Sequence, residues 1–182
     1  FAIYANIDQF SYNPSQQIQV SERAEIDKWI ISKLNSLVSS TTASLNDYEP
    51  AKAARAIEEF VIDDLSNWYV RLCRRRFWDT EESLDKKAAF QTLFECLEKI
   101  SILMSPIAPF FADWLYANLN QDKQKESVHL EFISAVDTKN INADLEQRME
   151  YAKNISSLIL SLRKKTKIKV RQPLQKILIP II

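Results

Sequence analysis

The 182-residue sequence contains no glycine, where an average chain carries about 7%. That absence removes whole classes of mechanism. A Gly-rich phosphate cradle, a dinucleotide fingerprint and a nucleophile elbow all need a backbone approach or a left-handed turn that a Cβ obstructs. An all-helical architecture tolerates the loss best, because tight hairpins are where glycine is hardest to replace. Histidine is nearly as scarce, with His129 alone, and cysteine stops at Cys73 and Cys96. Neither the number nor the spacing suits a metal site, and the thiols read as the reduced cysteines of an intracellular protein. Also lacking are any apolar run near the ~20 residues of a membrane span and any charged-then-apolar leader. Net charge is absent too: 24 basic residues face 24 acidic ones, so a nucleic-acid role has to rest on local clustering.

What is present is ample apolar material, 46% of the chain, at helical spacing. Ser21 reads as an N-cap, and Ile26, Trp29, Ile30, Leu34, Leu37 and Val38 recur as a first helix to about Ala43. Pro50 opens a second that runs to about Trp78, roughly 40 Å at ~1.5 Å per residue. Its apolar stripe is Ala54, Ile57, Val61, Leu65, Trp68 and Leu72. Ser83 or Asp85 caps a third helix with Ala89, Leu93, Leu97, Ile100 and Met104 buried. Ser105 to Pro109 ends it and starts a fourth, where Phe110, Phe111, Trp114, Leu115 and Leu119 supply packing. Short connections predict an antiparallel four-helix bundle, and Trp29, Phe60, Phe90, Phe94, Phe111 and Trp114 are expected in its core.

Beyond Gln121 the chain turns polar apart from Val128 to Phe132, whose alternation predicts a short extended piece across the bundle end. His129, with no oriented partner, reads as a packing or hydrogen-bonding residue. Leu145, Met149, Ala152, Ile155, Ile159 and Leu162 make a fifth helix. Val170 to Leu174 and Lys176 to Ile182 then read as strands separated by Pro173. An apolar run such as Ile177 to Ile182 wants a sheet partner, which predicts a piece cut at both ends from a longer protein.

Two stretches concentrate cations. Ser66 to Trp78 holds four arginines and four aromatics, and Arg71, Arg74, Arg75 and Trp78 share a helical face with Asn67 and Asp64. Arg163, Lys164, Lys165, Lys167, Lys169 and Arg171 crowd the end of the fifth helix. Guanidinium groups grip phosphates bidentately and stack on bases, so an RNA-binding module is one reading. A helical interaction or scaffold domain is the second, its stripe merely pairing with Glu59, Asp63 and Asp64. A free-standing enzyme is the third, though no cysteine-histidine pair, carboxylate dyad or phosphate loop stands out.

Ser66 to Trp78, read as S-N-W-Y-V-R-L-C-R-R-R-F-W, resembles the signature helix of the anticodon-binding domain of isoleucyl-tRNA synthetases. Y-A-N-I-D at Tyr4, D-K-W-I-I-S-K-L at Asp27, A-P-F-F-A-D-W-L-Y at Ala108, S-V-H-L at Ser127 and V-R-Q-P-L at Val170 agree in order. Gln9, where many relatives have glycine, and Ile133-Ser134 depart from the pattern, both in connecting segments. The resemblance implies a class I aminoacyl-tRNA synthetase whose full enzyme uses ATP and magnesium to join isoleucine to its tRNA and edits mischarged valine, with zinc elsewhere in it. It implies a cytoplasmic monomer whose partner is isoleucine tRNA, neither DNA nor a membrane. The H-x-G-H and K-M-S-K-S types of nucleotide signature are missing, so no catalytic residue, metal or cofactor is assigned to this chain. The expected organisation is residues 1–20 as the end of a connection from a catalytic domain and 21–120 as the helical bundle. Residues 121–166 follow as a connecting segment with the fifth helix, and 167–182 as the start of a β-containing extension.

Overall fold

The computed structural model describes residues 5, 7, 8, 10–119 and 126–178. Gln9, Tyr4 and Asn6 of the Tyr4 to Asp8 motif and the end of the apolar run at 179–182 lie outside them. The fold is all-α: α1 (Glu25–Asn46), α2 (Pro50–Glu59), α3 (Arg71–Trp78), α4 (Leu84–Met104), α5 (Pro109–Leu119) and α6 (Ala143–Lys165). It divides into two units, Phe1–Ala143 and Asp144–Ile182.

In the first unit α2 and α3 are the ends of one rod. Between them Phe60–Val70 stays helical but is wound more widely, in the π form with i→i+5 bonding. The wider winding inserts extra residues per turn, so everything after it is rotated relative to an ideal α-helix. The buried positions of the rod are therefore Ala53, Ile57, Phe60, Asp64, Leu65, Tyr69, Cys73 and Phe77. Leu72, expected inside, is exposed, Tyr69 is fully buried in its place, and Trp68 is half-buried. Asp64 likewise leaves the arginine face and pairs with Lys33 at 3.2 Å.

Side-chain pairings fix the directions. The start of α1 meets the end of the rod through Asp27 and Arg76, while only residues 47–49 link the end of α1 to the start of α2, so the two run antiparallel. Arg76 meets Asp85 and Tyr69 meets the Ala89 carbonyl, so α4 doubles back along the rod in turn. Almost every side of α4 is covered, from Ala88 through Phe94 and again from Ile100 to Leu103, as befits the central helix of a bundle. Ser83 caps it by accepting from the Lys86 N–H at 3.0 Å.

Ser21 does not cap α1. It sits in a 3-10 turn, Val20–Glu22, and Ala24 takes the cap position without a side-chain bond, because the chain first turns to bury Arg23. The segment before it is not a loose linker but a strap on α4. Phe10 stacks on Phe90 with centroids 5.1 Å apart and Tyr12 on Phe94 at 4.3 Å. Gln91 accepts from the Ile18 N–H and donates to the Gln16 carbonyl.

In α5 the buried residues are Ala112 and Tyr116, which join Ile102 and Val128 in a small cluster. Phe110, Phe111 and Trp114 are exposed, so two of the expected core aromatics are on the surface. The small Ala112 lets α5 approach its neighbour, and the bulky residues fall on the opposite side. Val128–Leu130 is a 3-10 turn rather than an extended piece, because the Asp113 carboxylate accepts from both Ser127 Oγ and the Val128 N–H. His129 is exposed.

Within the second unit, α6 ends in a left-handed residue, Lys167 at φ 56°, with the Ile168 N–H donating back to the Arg163 carbonyl at 2.9 Å. This closure usually employs glycine; with none available, lysine adopts it. The expected strand at Val170 to Leu174 is not formed, and no strand occurs among the described residues. The Gln172 N–H bonds the Lys169 carbonyl in a turn instead, as expected of a lone β-prone stretch without a pairing strand.

Candidate RNA-binding face

Arg71, Arg74, Arg75 and Trp78 lie at i, i+3, i+4 and i+7 of α3, the spacing that places side chains on one helical face. All four are exposed. No ion pair involves the three arginines among the described residues, so their charge is directed at solvent. Arg74 Cζ lies 5.3 Å from the centroid of the Trp78 ring. A contact of this kind is worth about 0.5–1 kcal/mol at an exposed site, enough to hold a guanidinium and an indole in one layered surface.

The fourth arginine behaves differently. Arg76 donates through Nη1 and Nη2 to the two oxygens of Asp27 at 2.8 and 2.7 Å, and through Nε and Nη2 to Asp85 at 2.8 Å each. Burial by itself would lower its pKa, but the bonds to the two carboxylates push it above the usual arginine value. The pairing reading of the stripe thus holds for Arg76 alone, with Asp27 and Asp85 as partners rather than Glu59, Asp63 or Asp64. The spacing sets Arg76 off the face of the other three, and the rotation introduced by Phe60–Val70 turns its side of α3 inward.

Tyr69 Oη donates to Asp27 Oδ1 at 2.7 Å, and burial together with the Asp27 charge pushes its pKa well above the usual phenol value. Burial also raises the thiol pKa values of Cys73 and Cys96, so both stay protonated and weakly reactive. Among the described residues no group of three His, Cys, Asp or Glu side chains is arranged to hold a metal. Likewise, no described helix is long and apolar enough to cross a membrane.

The second cationic cluster sits at the end of α6. Arg163 is partly committed, since its Nη1 donates to the carbonyls of Lys169 and Gln172 at 2.8 and 2.9 Å. That bracket closes the loop and displays Lys164, Lys165, Lys167, Lys169 and Arg171, all exposed. The two clusters belong to different units of the chain.

Exposed guanidinium groups suit RNA phosphates, and comparison with known proteins gives the family. The family described as the anticodon-binding domain of tRNA ligases matches residues 27–178, and the chain belongs to that family. The isoleucine–tRNA ligase of Cytophaga hutchinsonii is 52% identical over 185 residues, covering all of this chain and 17% of that protein. The isoleucine–tRNA ligase of Bacteroides thetaiotaomicron is 48% identical over all of this chain and 16% of its own length. That of Chlamydia trachomatis is 42% identical over 98% of the chain and 17% of its own length. The chain therefore spans about a sixth of these relatives.

Proposed function

We propose that this chain is the module by which an isoleucine–tRNA ligase grips the anticodon stem-loop of its tRNA. The observation that carries the reading is the exposed face of α3, where Arg71, Arg74 and Arg75 have no acidic partner among the described residues and Arg74 is layered on Trp78. Phosphates suit the arginines, and an unstacked loop base suits the indole and guanidinium planes. Lys164, Lys165, Lys167, Lys169 and Arg171 supply a second set of phosphate contacts, with Arg163 shaping their loop. In the whole protein the reaction is attachment of isoleucine to tRNA with ATP and magnesium, carried by parts outside this chain, with zinc in those parts as well. The protein works in the cytoplasm as a monomer.

The test is a gel-shift titration against isoleucine tRNA and an unrelated tRNA at two salt concentrations. Replacing Arg75 with alanine reduces the slope of log K against log salt by roughly 0.7 to 0.9, and Arg75→Glu weakens binding further. Melting temperature barely changes in either variant, because exposed charge substitutions move stability by about 0.5 kcal/mol or less. A variant that binds as tightly as the parent with an unchanged salt slope overturns the assignment.

A further inference from the structure

The rod from Pro50 to Trp78 has two apolar registers to choose from. In the one observed, Tyr69, Cys73 and Phe77 turn inward. In an uninterrupted α-helix, Trp68 and Leu72 would turn inward instead, one residue out of phase, and Arg75 or Arg76 would follow a turn later. Hydrophobicity does not separate the two, since Trp68 and Leu72 are at least as apolar as Tyr69 and Cys73. A slip of one residue rotates a helix by about 100°. Here it would carry the arginines and Trp78 round the rod together, turning their common face away from its present direction and Arg75 toward the interior.

What distinguishes the registers is a carboxylate on another helix. Asp27, in the first turn of α1, is fully buried and accepts from Tyr69 Oη, Arg76 Nη1 and Arg76 Nη2, all within 2.8 Å. Tyr69 belongs to the last turn of the wide segment and Arg76 to α3, so the donors bracket the junction between the two windings. Arg71, Arg74 and Arg75 lie between them in sequence. Tyr69 and Arg76, seven residues apart, share a face of the rod in either register, but only the wide winding turns that face toward Asp27 while Ala53 and Ile57 stay inward. In the alternative register Tyr69 leaves the interior, and a buried carboxylate is left short of partners, a costly arrangement.

We infer that Asp27 is a positioning residue for RNA binding: by holding Tyr69 and Arg76 it selects the wide winding of Phe60–Val70 and so turns the shared face of Arg71, Arg74, Arg75 and Trp78 outward. The inference rests on the RNA-binding reading above for its functional half, whereas its structural half stands on the hydrogen bonds alone.

Cys73 reports the register directly, because it is buried in the observed winding and moves outward in the other, while the buried Cys96 on α4 reports global unfolding. The experiment labels the 182-residue chain with a thiol reagent under native conditions, maps each cysteine by mass spectrometry, and titrates isoleucine tRNA in parallel. Asp27→Asn is the principal variant. It keeps the side-chain shape and one acceptor oxygen, and Arg76 retains Asp85, so the fold has the means to survive. The expected result is labelling of Cys73 at least tenfold faster, Cys96 unchanged, and tRNA affinity at least fivefold weaker. Tyr69→Phe, which removes one of the three bonds, moves both readouts in the same direction by less. Equal protection of both cysteines, or equal acceleration of both, overturns the inference, the second result meaning that Asp27 merely stabilises the bundle. Selective Cys73 exposure with unchanged affinity also overturns it, provided that Arg75→Ala does weaken binding. If Arg75→Ala leaves binding intact, the RNA-face reading is what fails, and selective Cys73 exposure still upholds the register role of Asp27.

Discussion

Arg23 and Glu95 meet at 2.7 Å with the arginine side chain wholly withdrawn from solvent, and the pair pins the segment before α1 onto the central helix. The same guanidinium donates to Thr92 Oγ1 and to the Ile18 carbonyl, so its N–H groups are widely satisfied. Removing the carboxylate strands a buried cation, a change that costs about 3 to 5 kcal/mol. Glu95→Ala is therefore expected to lower the melting temperature by roughly 6 °C or more. Combining Arg23→Met with Glu95→Leu is expected to cost much less, since an apolar pair of similar volume replaces a buried ion pair at small penalty. Calorimetry of the three variants checks this, and a Glu95→Ala chain that melts with the parent contradicts it.

The lack of glycine leaves an opportunity at the end of α1. Tyr48 holds φ 60°, where the Glu49 N–H reaches back to the Ser44 carbonyl at 2.8 Å, and its side chain is 92% exposed. A left-handed conformation costs a non-glycine residue about 1–2 kcal/mol, partly offset by the entropy glycine loses on folding. Tyr48→Gly is expected to stabilise the chain by about 0.5–1 kcal/mol. A urea midpoint equal to or below that of the parent would refute this.

Alkaline pH should probe Tyr69. An unfolded tyrosine ionises near pH 10, while burial and the adjacent Asp27 hold the folded phenol well above that value. Its contribution is fully present below pH 10 and is lost as pH rises further, because only the unfolded chain gives up the proton. Above pH 10 one such group changes stability by up to about 1.4 kcal/mol per pH unit. Tyr69→Phe removes that slope. Tyr12, raised to about 12 by burial and by Glu95, and Tyr116, raised by burial and Glu131, keep theirs. Between pH 9 and pH 11 the parent should lose about 1 kcal/mol more than the variant in urea unfolding; parallel losses would rule this out.

Aromatic residues of α4 and α5 should respond oppositely to truncation. Phe90 is 2% exposed and packs against both Phe10 and Phe77, whereas Phe110 is 91% exposed. Phe90→Ala is expected to cost about 3 to 5 kcal/mol, and Phe110→Ser within about 0.5 kcal/mol of nothing. Comparable losses in the two variants would return α5 to the core that its bulky residues imply.

Helix existence was legible because it depends on periodic apolar residues and punctuating prolines, and each of Pro50, Ser83 and Pro109 stands at the helix start expected of it. Facing was less legible. In α5 the interior is claimed by Ala112 and Tyr116 rather than by the largest side chains, since close approach favoured a small residue. In the rod, an ideal 3.6-residue period assigns Leu72 to the core, and no residue type announces that Phe60–Val70 is wound more widely. Arg71, Arg74, Arg75 and Trp78 share one face of α3, as their spacing predicts, and the structure leaves all four exposed. The inward turn of Arg76 did not show, because its partners are 49 and 9 residues away. The strap was invisible for the same reason: its contacts are side chains on a helix not yet reached when the segment is read.

That last point has a temporal counterpart during synthesis. Gln16 finds its partner, Gln91, 75 residues later in the chain, so at ribosomal speeds of 5–20 residues per second the strap waits roughly 4 to 15 seconds before α4 exists to receive it. A stretch kept waiting in water does best if it is soluble alone. The run Ser11-Tyr12-Asn13-Pro14-Ser15-Gln16-Gln17 is mostly small and amidic, with a proline that resists premature strand pairing. Its polarity, which reads as a mark of a linker, equally fits a segment that must stay idle until the centre of the bundle arrives.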